Sequence, residues 1–329
     1  MRGISRKRLL GLSKALASAI LLLIAWRAAG TETGLREAIG RMDVGLLAGA
    51  ALVFAAGQAV AALRLFFVLR RLCRPAPFAA VLRAHFVGLG FNQVLPTGFG
   101  GDVVKILVLR RAGDTRRVVR AVLLARGFGL VALLFATAAL FPFYGRVLSE
   151  TGPLRPLAGV SAGLLLVGLA AAGASRWRRL ARPRRRPVRF LFLLLRDARR
   201  FSAPRPLLEQ AATSAAVVLS VVLCFDLLGG SLGHAGNAAT YLTVVPPVIV
   251  AMHLPISFGG WGIREVGAVT LLPLGGMDGE TAFLVSLLYG VVLLASGAAG
   301  FILWQIPGPR GDAAGRRVPR PGPALEPKD

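Results

Sequence analysis

Apolar runs of about twenty residues recur along this chain, and most are closed off by short clusters of arginine. A helix needs roughly 20 apolar residues to cross the hydrocarbon core of a bilayer, and only a helix or a closed barrel can satisfy its backbone there. The runs therefore constrain the fold more than any single motif does. Of 329 residues 55% are hydrophobic and only 17% charged, against about 25% charged in soluble domains. A two-domain soluble enzyme is excluded, and the chain reads as an all-α polytopic integral membrane protein.

Lys and Arg number 40 against 15 Asp and Glu, a formal net charge of +25. A basic surface of that size can be the footprint of a nucleic-acid binder. Here the basic runs alternate with apolar spans and carry no interleaved stacking aromatics, so they read as loops held on the cytoplasmic face, with no nucleic-acid partner. Cys73 and Cys224 lie too far apart in this topology to imply a disulfide framework.

Charge then places the spans. Residues 1 to 14 hold five cations before an apolar run to about Ala29, and Arg27 sits where a signal-peptide cleavage site would want small residues, so this run reads as a first span. A second span covers about Val44 to Leu69. The segment from about Val81 to Leu109 is apolar, yet basic runs flank it on both sides, so both of its ends are cytoplasmic. Its middle, Asn92 to Asp102, contains Pro96, Gly98, Gly100 and Gly101, which break a helix. Non-helical backbone at membrane depth is tolerated only beside protein or a water-filled cavity, so this segment reads as a re-entrant hairpin of two half-helices.

The third and fourth spans cover about Val118 to Tyr144 and Leu157 to Ala174. Residues 176–205 then hold twelve Arg and one acid. Within them Val188, Leu191, Phe192 and Leu195 share one helical face and Arg189, Arg196, Arg199 and Arg200 another, which suits either an anionic lipid surface or a plain positive-inside loop. A fifth span, about Leu207 to Leu228, leads to a second broken segment, Tyr241 to Gly276, with both ends outward. The last span, about Thr281 to Ile306, is followed by a polar tail, 310–329, expected to be disordered. Both termini are then cytoplasmic, in a cytoplasmic membrane.

A shift of 159 residues lays Leu95-Pro-Thr-Gly-Phe-Gly-Gly-Asp-Val-Val-Lys105 over Leu254-Pro-Ile-Ser-Phe-Gly-Gly-Trp-Gly-Ile-Arg264, and the same shift superposes the flanking spans. The expected organisation is an inverted repeat, 1–150 and 151–309, each half having three spans and one hairpin (81–109 and 241–276). Eight complete spans would need one basic run outside. Paired, Gly/Pro-interrupted segments in inverted halves point to a transporter's midplane binding site.

Ionisable residues inside spans are functional candidates. Asp102, Lys105, Arg126, Arg264 and Glu265 head this group, with Arg64, His85 and His253 behind them. Gly100 and Gly101, and Gly259 and Gly260, sit where half-helix N-termini could cradle an anion, with Asn92 and Ser257 as neighbouring polar groups. Lys105, Arg126 and Arg264 would suit a phosphate. The structural alternative has Asp102 capping its half-helix and pairing with Lys105, Glu265 neutralising Arg64 or Arg126, and both arginines able to snorkel toward their basic runs. Enzymatic patterns are lacking: there is no His-Glu-x-x-His, no Walker loop, no Asp-rich Mg²⁺ pair, and nothing that calls for a cofactor or a metal. Gly127-x-Gly129-x-x-Ala132 lies inside an apolar helix and is no dinucleotide fingerprint.

Asn92-x-x-Leu-Pro-x-x-x-Gly-Gly-Asp102-x-Val-Lys105, Arg126 in the next span and Leu254-Pro-Ile-Ser-x-Gly-Gly-x-Gly-Ile-Arg264-Glu265 together resemble the lysylphosphatidylglycerol synthase transmembrane family, whose members are also called flippase-like. The resemblance spans nearly the whole chain. It implies a membrane domain like the one thought to flip aminoacylated phosphatidylglycerol, with the separate synthase domain of the bifunctional members expected to be absent. Where that family often has an acid before the arginine of the third span, this chain has Ala125.

Three functions follow as expectations. The first is a flippase moving an anionic or aminoacylated phospholipid, or another lipid-linked phosphate. The second is a membrane-embedded lipid-phosphate transferase. The third is a non-catalytic membrane subunit that recruits a soluble synthase through the loop 176–205; besides membrane phospholipid, a second copy or a separate synthase is the expected partner.

Overall fold

The computed structural model describes residues 6–29, 40, 42–73, 76–95, 99–110, 114–143, 154–174, 186–234, 236–253 and 260–306. Among them every regular element is helical. In chain order these are α1 (Arg6–Ala29), α2 (Val44–Leu72), α3 (Phe78–Val94), α4 (Gly100–Leu109), α5 (Thr115–Leu140), α6 (Leu154–Ala174), α7 (Arg186–Ala198), α8 (Pro204–Ser231), α9 (Ala238–Met252), α10 (Ile263–Leu271) and α11 (Gly279–Gln305). Four of them, α2, α5, α8 and α11, are each long and apolar enough to cross a bilayer. The other two expected spans correspond to α1 and α6, of 24 and 21 residues. The expectation of an all-α membrane protein is met.

Polar caps set where several of the helices begin. Asp43 accepts from the Gly45 and Leu46 N–H groups at the start of α2, Asp114 from Arg116 at α5, Asn237 from Ala239 at α9 and Asp278 from Thr281 at α11. A short acceptor side chain before the first turn satisfies N–H groups that have no intrahelical partner. The interior of each span is apolar, and large side chains such as Leu52, Phe135, Leu166, Leu219 and Ile302 point outward and are exposed. An apolar exterior of this kind is what lipid contact requires.

The two broken segments become two pairs of short helices. α3 and α4 fold against each other, and so do α9 and α10. At 17 and 15 residues, α3 and α9 fall short of the ~20 residues that span a bilayer. Shifted by 159 residues, α2 becomes 203–231 against Pro204–Ser231, α3 becomes 237–253 against Ala238–Met252, and α4 becomes 259–268 against Ile263–Leu271. The contacts exchange in the same way: α2 runs along α8, α3 packs on α11, and α9 on α5.

Glycines permit the closest approaches. A Cβ on Gly57 would strike the Ser220 side chain between α2 and α8, and one on Gly300 would strike the backbone carbonyl of Phe86 between α11 and α3. Two apolar clusters result. The larger joins Phe54, Phe225, Tyr241, Val248, Leu271 and Tyr289, and the second, near the basic loops, joins Leu65, Val68, Val81, Val118 and Phe201. α7 docks beside the second cluster, where the buried carboxylate of Asp197 accepts from Arg120 Nε at 2.6 Å. Phe201, one turn further on, packs against Phe128 and lies under Arg71.

Candidate functional site

The first hairpin turns so that Asn92, near the end of α3, reaches the start of α4, where its Oδ1 accepts from the Gly101 N–H at 2.7 Å. Gly101 and Gly88 face each other across the hairpin. A Cβ on Gly101 would collide with the Gly88 carbonyl, and one on Gly88 would lie 2.6 Å from Lys105 Cε. Small residues here bring the two arms together and leave a channel for the Lys105 stem.

Asp102 follows in the first turn of α4. Its carboxylate is buried and shared, Oδ1 accepting from Lys105 Nζ at 3.1 Å and Oδ2 from Arg126 Nη1 of α5 at 2.5 Å. Arg126 also stacks over the Phe99 ring, 4.5 Å from its centroid. The Asp102 carboxylate thus bridges two cations, one of which also meets an aromatic face, and 28% of the Arg126 side chain remains exposed. Two parts of the structural alternative are corrected. It is Asn92 that engages the α4 N-terminus, while Asp102 is taken up by cations, and Arg126 turns inward to Asp102 instead of snorkelling toward Arg120.

These groups line a cavity of about 340 Å³ between α2, α3, α4, α5, α8, α9 and α11. Asn92, Asp102, Lys105, Arg126 and Gly260 of the expected site border it, and Ala125 does too. The volume lies within the ~300–1,000 Å³ usual for ligand sites. His85 meets Gln58 at 3.1 Å, and His253 Nδ1 donates to the Ile249 carbonyl at 2.8 Å, so both histidines have partners although both face the cavity.

Arg64, a lower-ranked candidate that the structural alternative let snorkel, stays inside. It is 9% exposed, donates to Ser214 Oγ of α8 at 3.1 Å and borders the cavity. Gln58 and Ser214 join it there. One signal was available in the sequence: Gln58 and Arg64 are the only polar residues in the apolar body of α2, from Val44 to Leu69. The partnership with Ser214, 150 residues away, had none.

The second hairpin differs. Arg264 is completely buried and pairs with its neighbour Glu265, not Arg64 or Arg126. Arg264 Nε reaches Glu265 Oε1 at 3.0 Å and Ser286 Oγ at 3.2 Å, and its guanidinium sits over Trp261 and near the Tyr289 ring. Glu265 Oε2 also accepts from the Gly262 N–H at 2.6 Å. Gly260 and Gly262 have φ of +85° and +88°, a backbone that a side chain would strain, and a Cβ on Gly262 would press into Ser18 and Leu21 of α1. Arg264 does not border the cavity, whereas Tyr289, whose ring lies 5.8 Å from the guanidinium, does. The anion cradle expected at the two half-helix starts is closed at Gly101 and Gly262, whose N–H groups are already engaged. Ser257 and Gly259 lie outside the described residues, as do the tail 310–329 and residues 176–185 of the basic loop.

Cysteine, histidine and carboxylates form no metal-binding cluster among the described residues. A family model described as the lysylphosphatidylglycerol synthase TM region matches residues 12–300. The chain belongs to this family. As a lysylphosphatidylglycerol synthase TM protein it is a membrane domain of a kind associated with lipid handling, and both hairpins fall inside the match. Comparison with curated proteins finds no match.

Proposed function

We propose that the chain is a lipid flippase that binds an anionic headgroup in the cavity between its hairpins and carries it across the cytoplasmic membrane. The observation that carries this reading is the Lys105–Asp102–Arg126 bridge on the cavity wall. Cations at membrane depth are costly unless paired, yet here two of them share a single carboxylate beside open volume. A phosphate entering the cavity can take donors from both without dismantling the Asp102 bridge, because an ammonium has three donors and a guanidinium five.

The contrast between Lys105 and Arg264 supports a mechanism. The 159-residue shift makes these two residues equivalent, but Lys105 borders the cavity while Arg264 is fully buried away from it and paired with Glu265. In an inverted repeat whose halves exchange conformations, one hairpin cation faces the ligand in each state. Translocation is then an exchange of roles: the ligand leaves Lys105 and Arg126 as the second hairpin opens toward the other leaflet. Ala125 offers no proton-carrying group beside Arg126.

The same reading assigns α7 to the anionic membrane surface. Its bundle-facing side carries Leu194, Asp197 and Ala198, while Val188 and Leu191 stay exposed with Arg189 and Arg196 alongside. Association with a second copy or with a separate synthase is compatible with this placement.

The test is translocation in liposomes holding the purified protein, with fluorescent phosphatidylglycerol, its lysyl ester and a neutral lipid, read by exposure of inner-leaflet label to an impermeant quencher. The reading expects faster exposure of charged lipid by the wild type, reduced by about tenfold or more in Lys105→Ala/Arg126→Ala. Equal rates in protein-containing and empty liposomes across the lipid panel would overturn it.

A further inference from the structure

The described lining of the cavity carries more positive charge than its one carboxylate can neutralise, and part of the excess comes from Arg64 of α2, outside both hairpins. Arg64, Lys105 and Arg126 border it, and Asp102 is the sole carboxylate among the described residues that do. Residues 96–98 and 254–259, outside the described residues, contain no Asp or Glu in sequence. Asp102 already serves Lys105 and Arg126. Among the described residues Arg64 has only the neutral hydroxyl of Ser214, and its shielded Nε has no hydrogen-bond partner. Arginine does not lose its proton in proteins. Three cations against one anion leave two positive charges in excess, and protonation of His85 or His253 would only add to them.

Geometry concentrates this excess. The Arg64 guanidinium lies against Gly129 of α5, its Nη2 2.7 Å from where a Cβ would stand, and Arg126 is three residues earlier on the same helix. Residues three apart are neighbours on a helix surface, so two guanidinium groups approach the cavity one turn apart, and of the two only Arg126 bonds the Asp102 carboxylate. Like charges in a site of low dielectric repel, and an anion bound beside them relieves that repulsion.

We infer that the ligand is a phosphate bearing two negative charges, a lipid phosphomonoester or diphosphate, and that Arg64 is the residue that demands the second charge. The inference rests on the proposal that this cavity takes a lipid phosphate. It narrows that proposal against the aminoacylated lipid: a phosphodiester brings one negative charge and leaves one cation unmatched, and its lysyl ester brings a net positive charge to a site already positive. A phosphomonoester, with its second pKa near 6, brings almost two negative charges at neutral pH.

The experiment is calorimetric titration of the purified full-length protein, in a neutral detergent at pH 7.5, with four dihexanoyl lipids that share the same tails. These are phosphatidic acid, phosphatidylglycerol, its lysyl ester and phosphatidylcholine, with inorganic phosphate as a fifth ligand to separate a lipid headgroup from a free ion. Phosphatidic acid should bind about tenfold or more tightly than phosphatidylglycerol, and inorganic phosphate more weakly than phosphatidic acid. Arg64→Gln should bring the two lipids to within about twofold of each other, while Arg64→Lys keeps the preference. Wild-type protein that binds phosphatidylglycerol or its lysyl ester as tightly as phosphatidic acid would refute the inference and leave the flippase reading standing. So would binding of no lipid by protein that still moves lipid in liposomes. Inorganic phosphate binding as tightly as phosphatidic acid would also overturn it, as a site for a free ion.

Discussion

Arg64 and Gly129 occupy one volume between them: the guanidinium of Arg64 fills the space that a methyl group at 129 would need, with Nη2 2.7 Å and Nη1 2.9 Å from the Cβ position. Gly127, two residues earlier, has open space where its Cβ would stand. Glycine at 129 is therefore explained by a cation on another helix, and the partial dinucleotide pattern in α5 has no bearing on it.

Gly129→Ala should act as an Arg64 variant without touching Arg64. The methyl displaces the guanidinium from the cavity wall, so binding of an anionic lipid should fall about as far as in Arg64→Gln. The double variant should be no weaker than either single, since residues in contact are not additive. Gly127→Ala is the control and should bind as wild type. Calorimetry on the four proteins checks this, and additive losses would refute the coupling.

Glu265→Gln should destabilise the protein strongly. Arg264 would be left as a fully buried cation without its counter-charge, a change that costs about 3–5 kcal/mol, whereas replacing both partners is often nearly neutral. Thermal unfolding in detergent should show a large fall in Tm for the single variant and partial recovery in Arg264→Met/Glu265→Gln.

Asp197→Asn should loosen α7. This carboxylate is 2% exposed and holds Arg120 at 2.6 Å and Arg200 at 3.9 Å, so the substitution leaves Arg120 without its anion. Limited trypsin digestion should cleave faster after Arg196, Arg199 and Arg200 in the variant, with the spans left intact. Unchanged cleavage rates would show that the ion pair does not hold the helix down.

Asp278, the cap of α11 beyond the end of the span, gives a pH signature. Partial burial pushes its carboxyl up, but the Thr281 N–H bond and the other hydrogen bonds around it prevail and hold the pKa below the usual carboxylate range. A folded-state pKa lower than the unfolded one contributes stability that is complete above the unfolded pKa and lost as pH falls through the folded one. Asp278→Ala should cost about 1 kcal/mol at neutral pH. The difference in Tm from wild type should shrink only in that acid window.

Periodicity and charge made the helices legible because a bilayer imposes length and sign on every segment. The Val44 start of α2, the Leu109 end of α4 and the break before Gly100 all follow from runs of apolar residues and from glycine. The pairing of Asp102 with Lys105, three residues away, was legible for the same local reason. Long-range partners were not. Arg64 lies only six residues from Arg70, so its neighbours in sequence suggested escape to the surface, whereas Ser214 and the gap at Gly129 hold it inside. Glu265 had two arginines in other spans to choose from and took the adjacent one, because the turn at Gly262 brings its carboxylate back over its own helix start.

The seam between α2 and α8, tightened where Gly57 admits Ser220, joins the two helices that the 159-residue shift lays over each other. If the halves trade roles, this seam is the hinge pin, since each helix there meets its own counterpart before and after the exchange. The α3–α11 and α9–α5 contacts are the swinging leaves. A short cross-link across the pin should therefore leave lipid movement intact, whereas one that ties α3 to α11 near Gly90 and Gly297 should lock the protein with one hairpin open.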